Sequence, residues 1–480
     1  MLLSELLVAE TLVRQEDIER ALESRNESGE LLGRCLVAQG ALTKAQLDEV
    51  IDRRPIWPKT VEETGLGMNF LVTLMLKAMH SLGLESSRAI ADELKLPALI
   101  VESLLEHSRE RQLTEALGAS AQAGLAAEIR YALSAKGREH AAAALTQSAY
   151  VGPAPVSLPD YRTQIEKQRI RKDHVDDAAL SACLSHLIIP DGLLDRLGPA
   201  VNSGQCMLLH GPPGNGKSSI AVAIGRSHRQ LIYVPYCVEV GGEIVKVFDP
   251  TIHQEQESAF AKRRGEGSIV AIRKSTMDHR WVCCRRPILT TGVDLTLDRL
   301  DLAHHPQANY YDAPIQMKAW GGVVLIDDFG RQRARSVDIL NRWVTPLERG
   351  SDHLTLENGN KFSIDFDSLI IFATNLPIQE IIDAGVSWRI PYRIRVEPPS
   401  RDAYIQLLER ECAAHDLPFP AEIGAMLSNG QVADDDRPLA WFHPRFIVEH
   451  AIACCKYRNL PPRLDRELVA GALDNLYTGG

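Results

Sequence analysis

Nine consecutive residues, Gly211-Pro212-Pro213-Gly214-Asn215-Gly216-Lys217-Ser218-Ser219, have the types and spacing to hold a polyphosphate. Gly211, Gly216, Lys217 and Ser218 fit the pattern G-x-x-x-x-G-K-[ST]. Glycines let backbone N–H groups converge on a β-phosphate with no Cβ in the way. The Lys217 ammonium then reaches the β- and γ-phosphates, and the Ser218 hydroxyl ligates Mg²⁺. Two other polar groups end apolar runs: Asp327-Asp328 after Val323-Val324-Leu325-Ile326, and Asn375 after Leu369-Ile370-Ile371-Phe372-Ala373-Thr374. A carboxylate ending a strand beside a phosphate loop is where Mg²⁺ is held, which gives Asp327 the metal, through water. Asp328 occupies the position where glutamate commonly polarises the attacking water, and is one methylene shorter. Asn375 is placed to orient that water. The implied chemistry is the binding and hydrolysis of ATP with Mg²⁺.

These residues need a scaffold of strands and helices. Met207-Leu208-Leu209 reads as a strand running into the loop, and a helix opening at Gly216 aims its positive end at the same anion. The runs before Asp327 and Asn375 read as buried strands of a parallel sheet. Upstream, Leu184, Leu187, Ile188, Ile189, Leu193 and Leu194 make a helical lead-in that is either a wall for adenine or ordinary core. Leu231–Tyr236 reads as a strand, Val238–Phe248 as a hairpin around Gly241-Gly242, and Trp281–Leu289 as one strand-like run. Residues 255–268 read as an exposed excursion, and 238–320 as an insertion without assigned chemistry. Arg331, Arg333 and Arg335 add positive charge just after the metal strand.

Taken together, these residues resemble the AAA+ ATPase family from about Leu184 to the C terminus, with the loop as Walker A, Asp327-Asp328 as Walker B and Asn375 as sensor 1. The resemblance implies an α/β P-loop core over 160–400, a parallel sheet with flanking helices, and an α-helical lid over 401–480. It puts Arg389 in the place of the arginine finger, which reaches a neighbouring subunit's nucleotide, with Arg393 as second candidate. It puts Arg445 in the place of sensor 2, a lid arginine on the γ-phosphate. A cation on a first helical turn opposes the helix dipole, and an anionic ligand would account for it. A ring-like homo-oligomer is also implied.

Residues 1–55 carry an internal repeat. Leu6-Leu7-Val8-Ala9-Glu10-Thr11-Leu12-Val13 matches Cys35-Leu36-Val37-Ala38-Gln39-Gly40-Ala41-Leu42, and Thr43 with Gln46 fits a capping box. The repeat resembles the N-terminal domain of type II secretion and type IV pilus assembly ATPases, some of which bind cyclic di-GMP through R-L-G-x-x-L-V-x-x-G-type segments. Here Leu31 stands where that motif has arginine, so a protein-docking role is preferred over cyclic di-GMP. Residues 60–150 read as helices followed by a strand around Ile129–Leu133 and a further helix, and resemble a winged-helix domain. In such a domain the helix at Ala98–Arg109 would enter DNA. Glu102 and Glu106 on that helix disfavour nucleic acid as partner, because phosphate contacts need basic surface. Gly152-Pro153-Ala154-Pro155-Val156-Ser157-Leu158-Pro159 reads as a linker and the main domain boundary.

The 480 residues allow about three domains, and a formal net charge of −10 argues against general nucleic-acid binding. Nine cysteines, an odd number without C-x-x-C spacing, read as reduced thiols in the cytoplasm. No apolar run is long enough to span a bilayer. The expectation is a cytoplasmic ATPase that remodels a protein partner, in a secretion or pilus-like assembly by analogy of the N-terminal domain. A DNA-binding ATPase and a nucleotide-gated switch with little turnover are the alternatives.

Overall fold

The computed structural model describes residues 3–28, 30–119, 129–190, 192–256, 277–381, 389–428 and 439–477. Its centre is a wholly parallel sheet of five short strands: Met207–His210, Ile288–Thr291, Val323–Ile326, Leu369–Thr374 and Tyr392–Arg395. Across the sheet the order is 392–395, 207–210, 369–374, 323–326, 288–291. The phosphate-loop strand therefore lies beside the Asn375 strand, and the Asp327 strand is one place further on. Register aligns their C-terminal ends: Thr374 pairs with His210, Phe372 with Ile326, and Ile326 with Thr291.

The three inner strands are almost wholly apolar because both faces are covered. Side chains alternate strictly. Met207, Leu209, Val323, Leu325, Leu369 and Ile371 pack with Ile220, Ala221 and Ile224 of helix Lys217–Ser227. Leu208, Val324, Ile326, Ile370 and Phe372 pack on the other side with Ile339, Leu340 and Trp343 of helix Ser336–Arg349. The lead-in forms helices Asp177–Leu184 and Leu193–Ser203, and its Leu184 and Leu193 are buried in the first of these clusters. For those two side chains, core is the outcome.

The run 281–289 divides. Trp281–Cys284 pairs antiparallel with Ile232–Pro235, whereas Ile288–Thr291 joins the parallel sheet as its edge. Both halves are apolar, so hydrophobicity alone hides the change of sheet at Arg286-Pro287. A stretch expected to be insertion thus supplies a strand of the core. The hairpin is present as Cys237–Val240 and Glu243–Lys246, with Gly241 at φ 61° and Gly242 at φ 89°, the positive values a two-residue turn requires. Residues 257–276, which include most of the expected excursion, lie outside the described residues.

The proline-rich stretch at 152–159 is not a free linker. Ala154 and Val156 are fully buried, Val156 pairs with Val238, and Ser157 caps helix Leu158–Lys167. Proline lacks a donor, which suits the margin of a sheet as well as a linker. Pro55–Pro58 is tied down likewise: Asp278 N–H donates to the Pro55 carbonyl, and Trp57 packs edge-on against His279.

The N-terminal repeat is visible in the backbone. Leu12 N–H bonds Leu7 O and Ala41 N–H bonds Leu36 O, closing helices Leu3–Ala9 and Leu32–Ala38 in the same way. The matched turn residues Thr11 and Gly40 both have positive φ, 58° and 73°. The Thr43–Gln46 capping box opens helix Lys44–Asp52. Side chains then join this repeat to the strand at Ile232–Pro235. Glu10 and Arg53 form a buried ion pair at 2.7 Å; Glu10 accepts from Leu231 N–H, and Arg53 donates to Leu231 O. Gln168 accepts from Tyr233 N–H and donates to Tyr233 O.

Residues 61–154 surround a separate core. Helices Met68–Leu82, Ser87–Leu94 and Ala98–Glu110 precede the antiparallel strands Thr114–Ala119 and Ile129–Leu133 and the helix Ala135–Gln147. Helix Ala98–Glu110 buries Ile100, Val101, Leu104, Leu105 and Ser108, and exposes Ala98, Leu99, Glu102, Ser103, Glu106, Arg109 and Glu110. In the first helix, Lys77 is buried and its ammonium donates to Ser148 O at 2.9 Å. At the other end of the chain, helices Arg401–Ala414, Ala421–Ser428, His443–Tyr457 and Arg466–Tyr477 pack around their own core. Among the described residues no helix is long and apolar enough to cross a membrane.

Candidate nucleotide site

The phosphate loop leaves its strand at Gly211, whose φ of 144° favours glycine. A Cβ there would stand 2.4 Å from Val396 O, so the backbone of the edge segment also requires glycine. Gly214 and Gly216 take φ of 74° and 77°, and Gly216 is the N-cap of helix Lys217–Ser227. Lys217 is buried at the first helical position, and its Nζ donates to the carbonyls of Gly211 and Pro212, at 2.9 Å each. Burial lowers its pKa, while the carboxylates of Asp327 and Asp328 act in the opposite direction.

Ser218 and Asp327 are brought together across 109 positions: the Ser218 hydroxyl donates to Asp327 Oδ2 at 2.7 Å. Asp327 Oδ1 accepts the Asp328 N–H at 3.0 Å. Asp328 has φ 48°, so the chain turns at once after the strand. The turn is fastened by Phe329, which is buried and donates to Ala373 O, and by Gln332, whose amide reaches the carbonyls of both aspartates. Asn375 follows the neighbouring strand, and its buried Oδ1 has no hydrogen-bond partner among the described residues. In the loop, Asn215 is buried and its Nδ2 likewise lacks a partner. Buried polar atoms of this kind carry a cost unless something binds them. The donor set suits Mg²⁺, which takes one or two carboxylates and a hydroxyl alongside substrate phosphates. Ser219 is exposed and, with Ser218, lines a crevice of about 330 Å³ beside His186, Val222, Arg226 and Thr290.

The C-terminal helices touch this loop. Trp441 N–H donates to Asn215 Oδ1 at 3.4 Å, and Phe442 packs so closely on Gly214 that a Cβ there would come within 2.2 Å of the ring. Arg445, on the next turn, is exposed and pairs with Glu449 at 2.8 Å. Arg389 is not part of this cluster. It precedes the strand whose Tyr392 pairs with Met207, at the end of the sheet opposite the loop, and it binds Glu348 at 2.7 Å. Four strand residues separate the two ends, about 13 Å. Arg393 donates to Ile390 O at 3.2 Å. Trp388 lies outside the described residues.

Trp441, Phe442 and Gln332 do not stand out in the sequence. Gln332 had one signal, its place two residues after Gly330 in the turn that follows the paired acids.

Residues 400–475, within the C-terminal helices, match a family model described as a domain of unknown function (DUF8689). No curated protein matches the chain. Among solved structures the chain is similar to NtrX from Brucella abortus, at 13% identity and a TM-score of 0.38, covering 66% of this chain. It spans 58% of the length of that NtrX chain. It is also similar to a RuvB mutant from Thermotoga maritima, at 12% identity and a TM-score of 0.33, covering 64% of this chain and 73% of the other. A second RuvB mutant from that organism gives 12% identity, a TM-score of 0.35, and 61% and 71% coverage. These overlaps are loose, and the functional reading rests on the site's own geometry.

Proposed function

We propose that the chain is an AAA+ ATPase that couples ATP binding and hydrolysis to remodelling of a protein partner. The observation that carries the reading is the Ser218–Asp327 hydrogen bond at 2.7 Å, beside the Lys217 ammonium, at the aligned C-terminal ends of parallel strands. Open α/β sheets bind ligands at that edge. Lys217 and the loop amides hold the β- and γ-phosphates, and Ser218 and Asp327 hold Mg²⁺. Bound there, the metal neutralises charge on the phosphates. Asp328 accepts a proton from the attacking water and Asn375 orients it. Arg445 stands on a helix whose Phe442 already covers the loop, which supports a γ-phosphate contact in cis once Glu449 is exchanged for the anion. Arg389, remote from its own loop, supports an action on a neighbouring copy, and with it a ring-like homo-oligomer. The repeat at 3–52 and the winged-helix-like unit at 61–154 are the surfaces for the client, in a secretion or pilus-like assembly by resemblance of the repeat. Three exposed glutamates, Glu102, Glu106 and Glu110, against the single exposed Arg109 favour protein over DNA at the third helix of that unit.

The test is steady-state ATPase activity of the full chain, of Lys217→Ala and of Asp327→Asn. Both variants are expected to lose at least ~100-fold in kcat/KM, since each removes a charge that serves the phosphates or the metal. A wild-type rate no higher than the Lys217→Ala background would favour the nucleotide-gated switch and sink the hydrolase reading.

A further inference from the structure

We propose that Gln332 is a positioning residue for water activation: its side-chain amide pins the Asp327–Asp328 backbone in the left-handed turn that sets where the Asp328 carboxylate stands. This rests on the hydrolase reading above and deepens it.

Successive residues of a strand point to opposite faces. Had the chain continued extended beyond Ile326, Asp327 and Asp328 would diverge, and only one would face the phosphate loop. The chain does not run on extended: Asp328 N–H turns back onto Asp327 Oδ1 at 3.0 Å. The departure from alternation is Asp328 itself, at φ 48°. That region is unfavourable for residues with a Cβ, and least so for asparagine and aspartate. The same fact accounts for aspartate where glutamate is usual: the shorter acid tolerates this left-handed backbone.

A disfavoured conformation persists only where its surroundings hold it. Here Gln332 Nε2 donates to Asp327 O at 2.8 Å and to Asp328 O at 3.1 Å, while its Oε1 accepts Gly330 N–H at 2.8 Å. Arg331 N–H closes the turn onto Asp328 O at 2.9 Å. Gly330, at φ 103°, gives the backbone freedom the return requires. One side chain thus satisfies three backbone groups around the two acids, without touching phosphate or metal. Its effect should fall on the water-activating step and leave nucleotide binding, which belongs to the loop amides and Lys217, nearly intact.

The experiment uses the full chain with Mg²⁺, ATP turnover, and titration with a ribose-labelled fluorescent ATP analogue. Gln332→Ala is expected to lower kcat at least tenfold while the analogue's Kd stays within threefold of wild type. Gln332→Glu keeps the acceptor for Gly330 and sets a carboxylate against two carbonyls, and gives the same split. Asp328→Glu, although longer, turns over more slowly than wild type. The proposal is overturned if Gln332→Ala keeps kcat within twofold, or if kcat and affinity fall in parallel in both Gln332 variants, the mark of a loop that has come apart. Should Gln332→Ala fail to fold, Gln332→Glu decides by the same criterion. A wild-type rate at the Lys217→Ala background overturns the hydrolase reading and this one with it; a rate well above background, unchanged in Gln332→Ala, overturns the positioning role alone.

Discussion

Lys77 is a cation inside an apolar helix face, and replacing it with methionine should stabilise the protein in a pH-dependent way. Its neighbours Leu74, Met75, Leu76 and Ala78 are buried, and one bond to Ser148 O is its hydrogen-bonding partner. Burial lowers the Lys77 pKa from 10.5 to about 8. At ~1.36 kcal/mol per pH unit, that difference costs the folded state about 3 kcal/mol when the amine is charged. Partial access of water trims this to about 2 kcal/mol. Between pH 8 and 10.5 the unfolded chain holds the proton and the folded chain does not, so wild-type stability rises with pH across that window. It is lost as pH falls through 8. Lys77→Met removes the charge but leaves Ser148 O without its donor, a loss of about 1 kcal/mol. The net gain at pH 7 is about 1 kcal/mol, or roughly 3 °C in the unfolding midpoint. Thermal unfolding of both proteins at pH 7 and pH 10 measures it, other titrating groups cancelling in the difference. A methionine variant that is less stable at pH 7, or whose gain is the same at both pH values, would refute the account.

Two further outcomes follow from the site. Gly211→Ala places a Cβ 2.4 Å from Val396 O, a backbone atom that cannot swing aside, at a φ alanine disfavours. The fluorescent ATP analogue should then bind at least ~30-fold more weakly, a loss of about 2 kcal/mol; wild-type affinity would mean that the 396 segment is free to move. Arg389→Ala should leave that affinity within about threefold and lower turnover, and mixing it with Lys217→Ala should recover activity above the sum of the two, because each copy supplies what the other lacks. Strictly additive rates would place Arg389 outside any shared site.

Much of the core was legible because its strands are short, apolar and punctuated by polar ends. Val323–Ile326 and Leu369–Thr374 announce themselves in this way, and so does the glycine pattern before Lys217. Edge strand Ile288–Thr291 was not legible, since it follows another apolar strand with only Arg285-Arg286-Pro287 between them. Arg286 turns out to be buried and bound to Asp173, Gln168 O and Gly321 O, a role that an Arg-Pro dipeptide does not declare. The prolines at 153–159 signalled a linker because proline marks both free chain and sheet margin. Within the site, distant partners such as Ser218 and Asp327 could be inferred from roles, whereas Gln332 and Trp441 act through geometry. Their contacts are set by a left-handed residue and a docked helix, neither of which hydrophobic periodicity encodes.

The side chains that meet the strand at Ile232–Pro235 have a consequence for the chain's behaviour in solution. A bare sheet margin is adhesive, because unpaired N–H and C=O groups recruit strands from other molecules. Here Glu10 and Arg53 occupy both groups of Leu231, and Gln168 occupies both groups of Tyr233. The N-terminal repeat therefore acts as a seal at Leu231. Proteolytic loss of the first 55 residues would unmask Leu231 and an apolar face together, and would favour self-association through that margin.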